Sequence, residues 1–184
     1  MAQRQKIRRW RRLDHCGLEI LHWREHQDGI EAVSTIIDAG PDPFALHYTW
    51  NLDRHWRTRD VTLLRTDGDD RTLQIVRTGP ASWRVDGIKR PDLEGCREID
   101  ISATPLCNGL AVHALGDDGG EFLALHVNAA DNLALRPSQQ RYERMGPRRW
   151  RYIDKGVARG FEAVLDLDAD GLVTRYERVF DALT

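Results

Sequence analysis

Apolar and polar residues alternate with a period of two along most of this chain. Phe44, Leu46, Tyr48, Trp50 and Leu52 fall on one side of such a run, with Ala45, His47, Thr49, Asn51 and Asp53 on the other. Successive side chains of an extended strand point to opposite faces, so the pattern predicts a strand with one buried face. The same period recurs at Trp83 and Val85, at Leu123, Leu125 and Val127, and at Phe161, Ala163, Leu165 and Leu167. Turn signals separate the runs, among them Asp28-Gly29, Asp67-Gly68, Gly79-Pro80, Asp86-Gly87, Gly119-Gly120, Gly146-Pro147 and Asp170-Gly171. Short strands punctuated in this way predict an all-β sandwich, roll or barrel.

Helical spacing is confined to two places. Thr104-Pro105 suits a helix start, with Leu106, Leu110 and Ala114 on one face. Near the C-terminal end, Tyr176, Val179, Phe180 and Leu183 repeat at helical intervals, and Thr174 and Glu177 are placed like a capping box. Some strands carry large apolar residues on both faces, as in Leu18, Ile20, Leu21 and Trp23, or Ile30, Val33, Ile36 and Ile37. A sheet curled around a ligand cavity would use both faces. Two stacked sheets filling each other's core fit the pattern better when the pattern is taken alone.

Composition narrows the class. A hydrophobic fraction of 41% with 30% charged residues fits a globular protein with a real core. The 184 residues contain no Pro/Ser-rich linker, so a single domain over 1–184 is expected. A net charge of −2 offers no global field to nucleic acid. No apolar run approaches the ~20 residues that cross a bilayer, so stable membrane insertion is not expected. The basic start (Arg4, Lys6, Arg8, Arg9, Arg11, Arg12) lacks the apolar stretch of a secretory signal. Cys16, Cys96 and Cys107 are odd in number and widely separated, as in reduced thiols. Together these features predict a cytoplasmic protein.

Candidate chemistry is sparse. Asp166, Asp168, Asp170, Gly171 and Glu177 match a calcium-loop pattern, but the residues before them have strand period where an entering helix is required. A hairpin turning at Ala169-Asp170-Gly171 is the competing expectation. Arg8-Arg9-Trp10-Arg11-Arg12 and Arg148-Arg149-Trp150-Arg151-Tyr152 could stack bases and pair phosphates, or form outward Arg ladders around inward Trp10 and Trp150. Cys107, His113 and Asp100 supply the residue types of a thiol nucleophile, its base and an orienting acid, though no spacing requires them to meet. His22 and His26 would lie ~13 Å apart on a strand, too far to share a metal unaided. No metal or cofactor is expected.

Several ordered motifs carry a resemblance. They are Trp10-Arg11-Arg12-Leu13-Asp14 with Gly17-Leu18-Glu19, Trp56-Arg57-Thr58-Arg59, and Trp83-Arg84-Val85-Asp86-Gly87. Leu93-Glu94-Gly95-Cys96, Asp100-Ile101-Ser102-Ala103-Thr104-Pro105 with Asn108, and Gln140-Arg141-Tyr142 follow. Tyr152 and Gly160-Phe161-Glu162-Ala163 leading to Asp168-Ala169-Asp170-Gly171-Leu172-Val173 complete the set. In order and spacing the chain resembles the bacterial domain family named "putative glycolipid-binding". The resemblance implies an all-β fold: one large antiparallel sheet rolled into a barrel-like body, a spiral β-roll, with at most one or two short helices. It is similar in shape to bacterial carriers that hold lipid or lipoprotein acyl chains. It also implies a non-catalytic protein that sequesters a lipid or glycolipid in an apolar cavity. Trp50, Arg59, Trp83, Asp100, Asn108, Tyr142 and Tyr152 are the candidate ligand-binding residues, because they match these motifs or join an apolar body to a polar tip. One departure stands out. Where the family tends to carry an Arg pair after the Thr-Pro segment, this chain has His113 and Ala114.

Overall fold

The structure, a computed structural model, describes residues 4–68 and 71–183. The first half of the chain forms β1 (Arg4–Arg12), β2 (Gly17–Glu25), β3 (Gly29–Asp38), β4 (Phe44–Asp53), β5 (Thr58–Arg65), β6 (Arg71–Gly79), β7 (Ser82–Val85) and β8 (Ile88–Lys89). β9 (Glu98–Ile101) and one helix, α1 (Leu106–Leu115), come next. The remainder is β10 (Gly120–Asn128), β11 (Ala134–Gly146), β12 (Arg149–Asp154), β13 (Glu162–Leu167), β14 (Val173–Tyr176) and β15 (Phe180–Ala182).

The fifteen strands of the described residues belong to one sheet, which runs from β8 in sequence order back to β1, then from β15 back to β9. Neighbours pair antiparallel except β9 and β10, which are parallel with Asp100 opposite His126. That exception follows from α1, because parallel neighbours need a crossover and the helix supplies it. The Thr104-Pro105 break begins this crossover as expected, with Thr104 Oγ1 accepting the Leu106 N–H at 3.2 Å.

The C-terminal helix is not formed. Residues 173–182 make the β14–β15 hairpin, turning at Arg178 with φ of 65°. Tyr176 and Phe180, four apart in sequence, are direct cross-strand partners there.

Strands far apart in the sheet meet across its interior, which is what rolls it up. Thr58 on β5 donates to Glu98 on β9, and Thr104 before α1 donates to Glu19 on β2. The 90–97 segment then runs from one edge of the sheet to the other. Its Gly95 N–H reaches the Ala81 carbonyl at 2.9 Å, and its Arg97 N–H reaches Leu123 at 2.7 Å.

Inward positions hold the large apolar side chains. Trp10, Trp23, Trp50, Trp83, Tyr48, Tyr142 and Phe122 are fully buried. On β2 the alternation resolves cleanly, with Leu21 and Trp23 inside while Leu18 and Ile20 are exposed outside. Helix α1 fills part of the interior. A Cβ on Gly109 would sit 2.8 Å from the Gly171 carbonyl oxygen, so only glycine lets the helix lie this close to the β13–β14 turn.

Candidate functional site

Four of the seven residues nominated from sequence meet on the inner face of the sheet's second half. Asn108, on the buried side of α1, donates to Tyr142 Oη at 3.1 Å, and Tyr142 donates to Gln140 Oε1 at 3.1 Å. Gln140 in turn gives its Nε2–H to Asp100 Oδ2 at 2.8 Å. His126 Nδ1 reaches the same oxygen at 3.1 Å, which puts the ring proton on that nitrogen if Asp100 is the acceptor. Asp100 Oδ1 takes no part in either bond, and the Asp100 side chain keeps 19% of its surface open to solvent.

Strand alternation assembles this group. Gln140 and Tyr142 are two apart on β11 and so share a face, and register brings His126 beside Asp100. Tyr152 follows through ring packing, 5.3 Å from Tyr142, and its hydroxyl donates to Asp154 at 3.0 Å. Tyr176 lies 6.0 Å from Tyr152, with Phe161 and Phe180 each 6.2 Å from Tyr176. The result is an aromatic wall beside a carboxylate.

Burial, reinforced by the Asp100 charge, raises the pKa of the Tyr142, Tyr152 and Tyr176 phenols. They therefore remain protonated donors at ordinary pH. His126, Gln140, Asp154 and Tyr176 had not been nominated. The available signal was the polar set Ser138, Gln140 and Tyr142 at alternate positions of one strand, which marks an inward face that is not purely apolar.

The other three nominated residues stand apart from this cluster. Trp50 is fully buried, with its indole N–H on Thr58 Oγ1 at 2.9 Å. Trp83 is 1% exposed, its indole N–H on the Cys96 carbonyl at 2.8 Å and the Arg77 guanidinium 4.3 Å above its ring. Arg59 is exposed and reaches back to the Asp28 carbonyl.

The rival chemistries are placed as follows. Cys107 is buried against Ile101, whose N–H approaches its sulfur at 3.0 Å. His113, six residues further along α1, stacks on Trp56 at 5.0 Å between ring centres. Six residues place the two ~9 Å apart along the helix axis and on different sides, so they do not form a pair. Asp100 is held by His126 and Gln140 instead. Burial raises the thiol pKa of Cys107 well above its ordinary value and that of Cys96 to about 11. Iodoacetamide is accordingly expected to label exposed Cys16 in the native protein and to reach Cys96 and Cys107 only on unfolding. Rapid native labelling of Cys107 would contradict this picture.

The calcium-like segment is a hairpin turn. Asp168 Oδ1 accepts the N–H groups of Asp170 and Leu172, each at 2.9 Å, and Gly171 turns the chain at φ of 84°. Arg8 pairs with Asp168, while Arg4 at 2.8 Å and Lys6 at 2.5 Å pair with Asp170. Much of the basic start of the chain is thus committed to this turn. Trp10 and Trp150 point inward, as the Arg-ladder expectation had it.

Comparisons with known proteins agree on the fold. The family model described as "Putative glycolipid-binding" matches residues 7–182. A crystal structure of a DUF1089 family protein from Pseudomonas aeruginosa is similar, with a TM-score of 0.78 and 29% identity over 91% of this chain and 92% of that one. No curated protein matches the sequence. Among the described residues, no helix is long and apolar enough to cross a membrane.

Proposed function

This chain belongs to the family described as "Putative glycolipid-binding", and on that premise we propose that it binds a glycolipid without chemical turnover. The reading places the sugar head group at Asp100 and the acyl part along the aromatic wall. The observation that carries it is the partly open Asp100 carboxylate, set among an amide, an imidazole and three protonated phenols. Sugar hydroxyls both donate and accept, and a carboxylate edge beside an amide and an imidazole can answer both. Aromatic faces beside a carboxylate also suit the apolar C–H face of a pyranose.

A tail would lie against Tyr152, Phe161, Tyr176 and Phe180. Its burial contributes roughly 0.8 kcal/mol per CH₂, so partial burial is enough for useful affinity. Nothing in this scheme requires a bond to break.

Native mass spectrometry of protein purified from cells is the test. A co-purifying acylated sugar is expected. Replacing Asp100 by Asn is expected to weaken glycolipid binding about tenfold, a charge-assisted hydrogen bond's worth, while sparing a fluorescent fatty-acid probe. A bare protein mass together with failure to bind that probe refutes the reading.

A further inference from the structure

A concave region lies away from the Asp100 cluster. Four parts of the chain meet there: the β4–β5 turn, the end of β6 with the β6–β7 turn, the start of β9 and the last turn of α1. They form a groove of about 600 Å³ whose lining includes His55, Arg57, Arg77, Arg97, Glu98 and His113. We propose that this groove binds an oxyanion of the phosphate or sulfate class.

The charge balance favours an anion. Arg57, Arg77 and Arg97 face two carboxylates, Glu98 and the adjoining Asp53, which leaves one net positive charge before either imidazole is counted. Both carboxylates are already engaged. Asp53 accepts the N–H groups of His55 at 2.7 Å and Arg57 at 3.0 Å together with the Arg57 side chain, and Glu98 is held by Thr58 and Arg77. Arg97 has no carboxylate partner among the described residues. One of its nitrogens covers the Ala114 carbonyl at 2.9 Å, which masks the negative C-terminal end of α1 from the groove.

Donors are also left over. Arg57 uses its Nε–H on Asp53 and Arg97 uses one Nη, so each guanidinium keeps N–H groups outside these bonds. Such forks match the spacing of oxyanion oxygens. The His113 imidazole is held by its stack on Trp56, and the backbone that carries His55 is fixed by the Asp53-closed turn.

His113 is disfavoured from protonating by partial burial and by the neighbouring His55, while Asp53 opposes this. A bound anion would favour protonation of His113, so binding takes up a proton and strengthens as pH falls. The inference goes beyond the glycolipid reading and does not rest on it.

Calorimetric titration with sulfate, whose charge is constant between about pH 5.5 and pH 8, tests the site at fixed ionic strength. Affinity is expected to be at least about tenfold higher at the lower pH, and His113→Gln to remove most of that difference. Arg97→Gln is expected to weaken binding about tenfold, whereas Arg84→Gln, outside the groove, leaves it unchanged. Dihexanoyl phosphatidic acid distinguishes the sources, with dihexanoyl phosphatidylcholine as the uncharged-balance control. Much tighter binding of the phosphatidic acid than of sulfate or the control marks a lipid head group, and equal affinity with sulfate marks a free oxyanion. Absence of binding by both anions at both pH values, or equal loss in Arg97→Gln and Arg84→Gln, overturns the proposal. Sulfate binding by a protein that fails the acylated-sugar test would leave this site standing alone.

Discussion

Replacing Glu19 by Gln is expected to remove a loss of stability of about 3 kcal/mol that the wild-type protein suffers between mildly acidic and neutral pH. Glu19 sits on the inner face of β2 at 2% exposure. Ser34 at 2.7 Å, Tyr48 at 2.8 Å and Thr104 at 3.0 Å all donate to its Oε1, while Oε2 is buried with no hydrogen-bond partner. Burial pushes its pKa from the ordinary 4.5 up to about 7, the three hydroxyls offsetting only part of the shift. Between those values the folded protein holds this proton and the unfolded chain does not. Stability from this group is therefore greatest below the unfolded pKa and is lost as pH rises through the folded one.

Glutamine keeps an acceptor for the three hydroxyls and removes the charge. The difference between the two stability curves, measured by urea unfolding across this range, isolates the site from other titrating groups. An unchanged pH slope in Glu19→Gln would sink the argument. Glu19→Ala is a harsher change, because it leaves three buried hydroxyls without their acceptor, each a cost of about 1–3 kcal/mol. The effect reaches the candidate site. Thr104 ties Glu19 to the start of α1, and α1 carries Asn108 into the Asp100 cluster.

Local pattern fixes strands well here because one face of each is buried. The run at 44–53 shows this, with every inward residue buried from Phe44 to Leu52. The misread C-terminal helix shows the opposite case. Tyr176 and Phe180 stand one helical turn apart in sequence, but a left-handed Arg178 folds the chain back and pairs them across a hairpin. A spacing of four has two physical origins, and a non-glycine residue at positive φ carries little sequence signal. The candidate site was half legible. Asp100, Asn108, Tyr142 and Tyr152 came from motifs, yet what unites them is the parallel β9–β10 register and the α1 crossover. These bring His126 and Gln140 onto the same carboxylate. Nothing local in the sequence announces that a helix start will turn two strands parallel. Trp50 was named for its amphipathic tip and Trp83 for its motif and tip, and both tips are spent inside the fold, on Thr58 and Cys96.

The roll is held shut where its two edges approach, and the Arg77–Glu98 pair is the fastening whose loss is expected to cost most. Arg77 donates to Glu98 at 2.5 Å, to the carbonyls of Thr58 at 2.6 Å, Pro80 at 2.7 Å and Arg97 at 2.7 Å, and lies over the Trp83 ring. One side chain thereby joins β5, the β6–β7 turn and the entry to β9. Burial raises the Glu98 pKa and lowers that of Arg77, each against the other's attraction, so both charges are desolvated and each relies on its partner. Removing one charge from such a pair leaves the other uncompensated, and Arg77→Ala is expected to lower unfolding free energy by about 3–5 kcal/mol. Lysine does not substitute, since a point charge cannot serve a carboxylate and three carbonyls in one plane. Adding Glu98→Gln to Arg77→Ala is expected to recover part of the loss by removing the stranded carboxylate. The exposed pair Arg24–Glu31 sets the scale, because breaking it should cost no more than about 1 kcal/mol. Denaturant titration of these variants separates the cases. An Arg77→Ala protein as stable as one lacking Arg24 would mean that the seam is closed by the packing of Leu93, Trp83 and Cys96 alone.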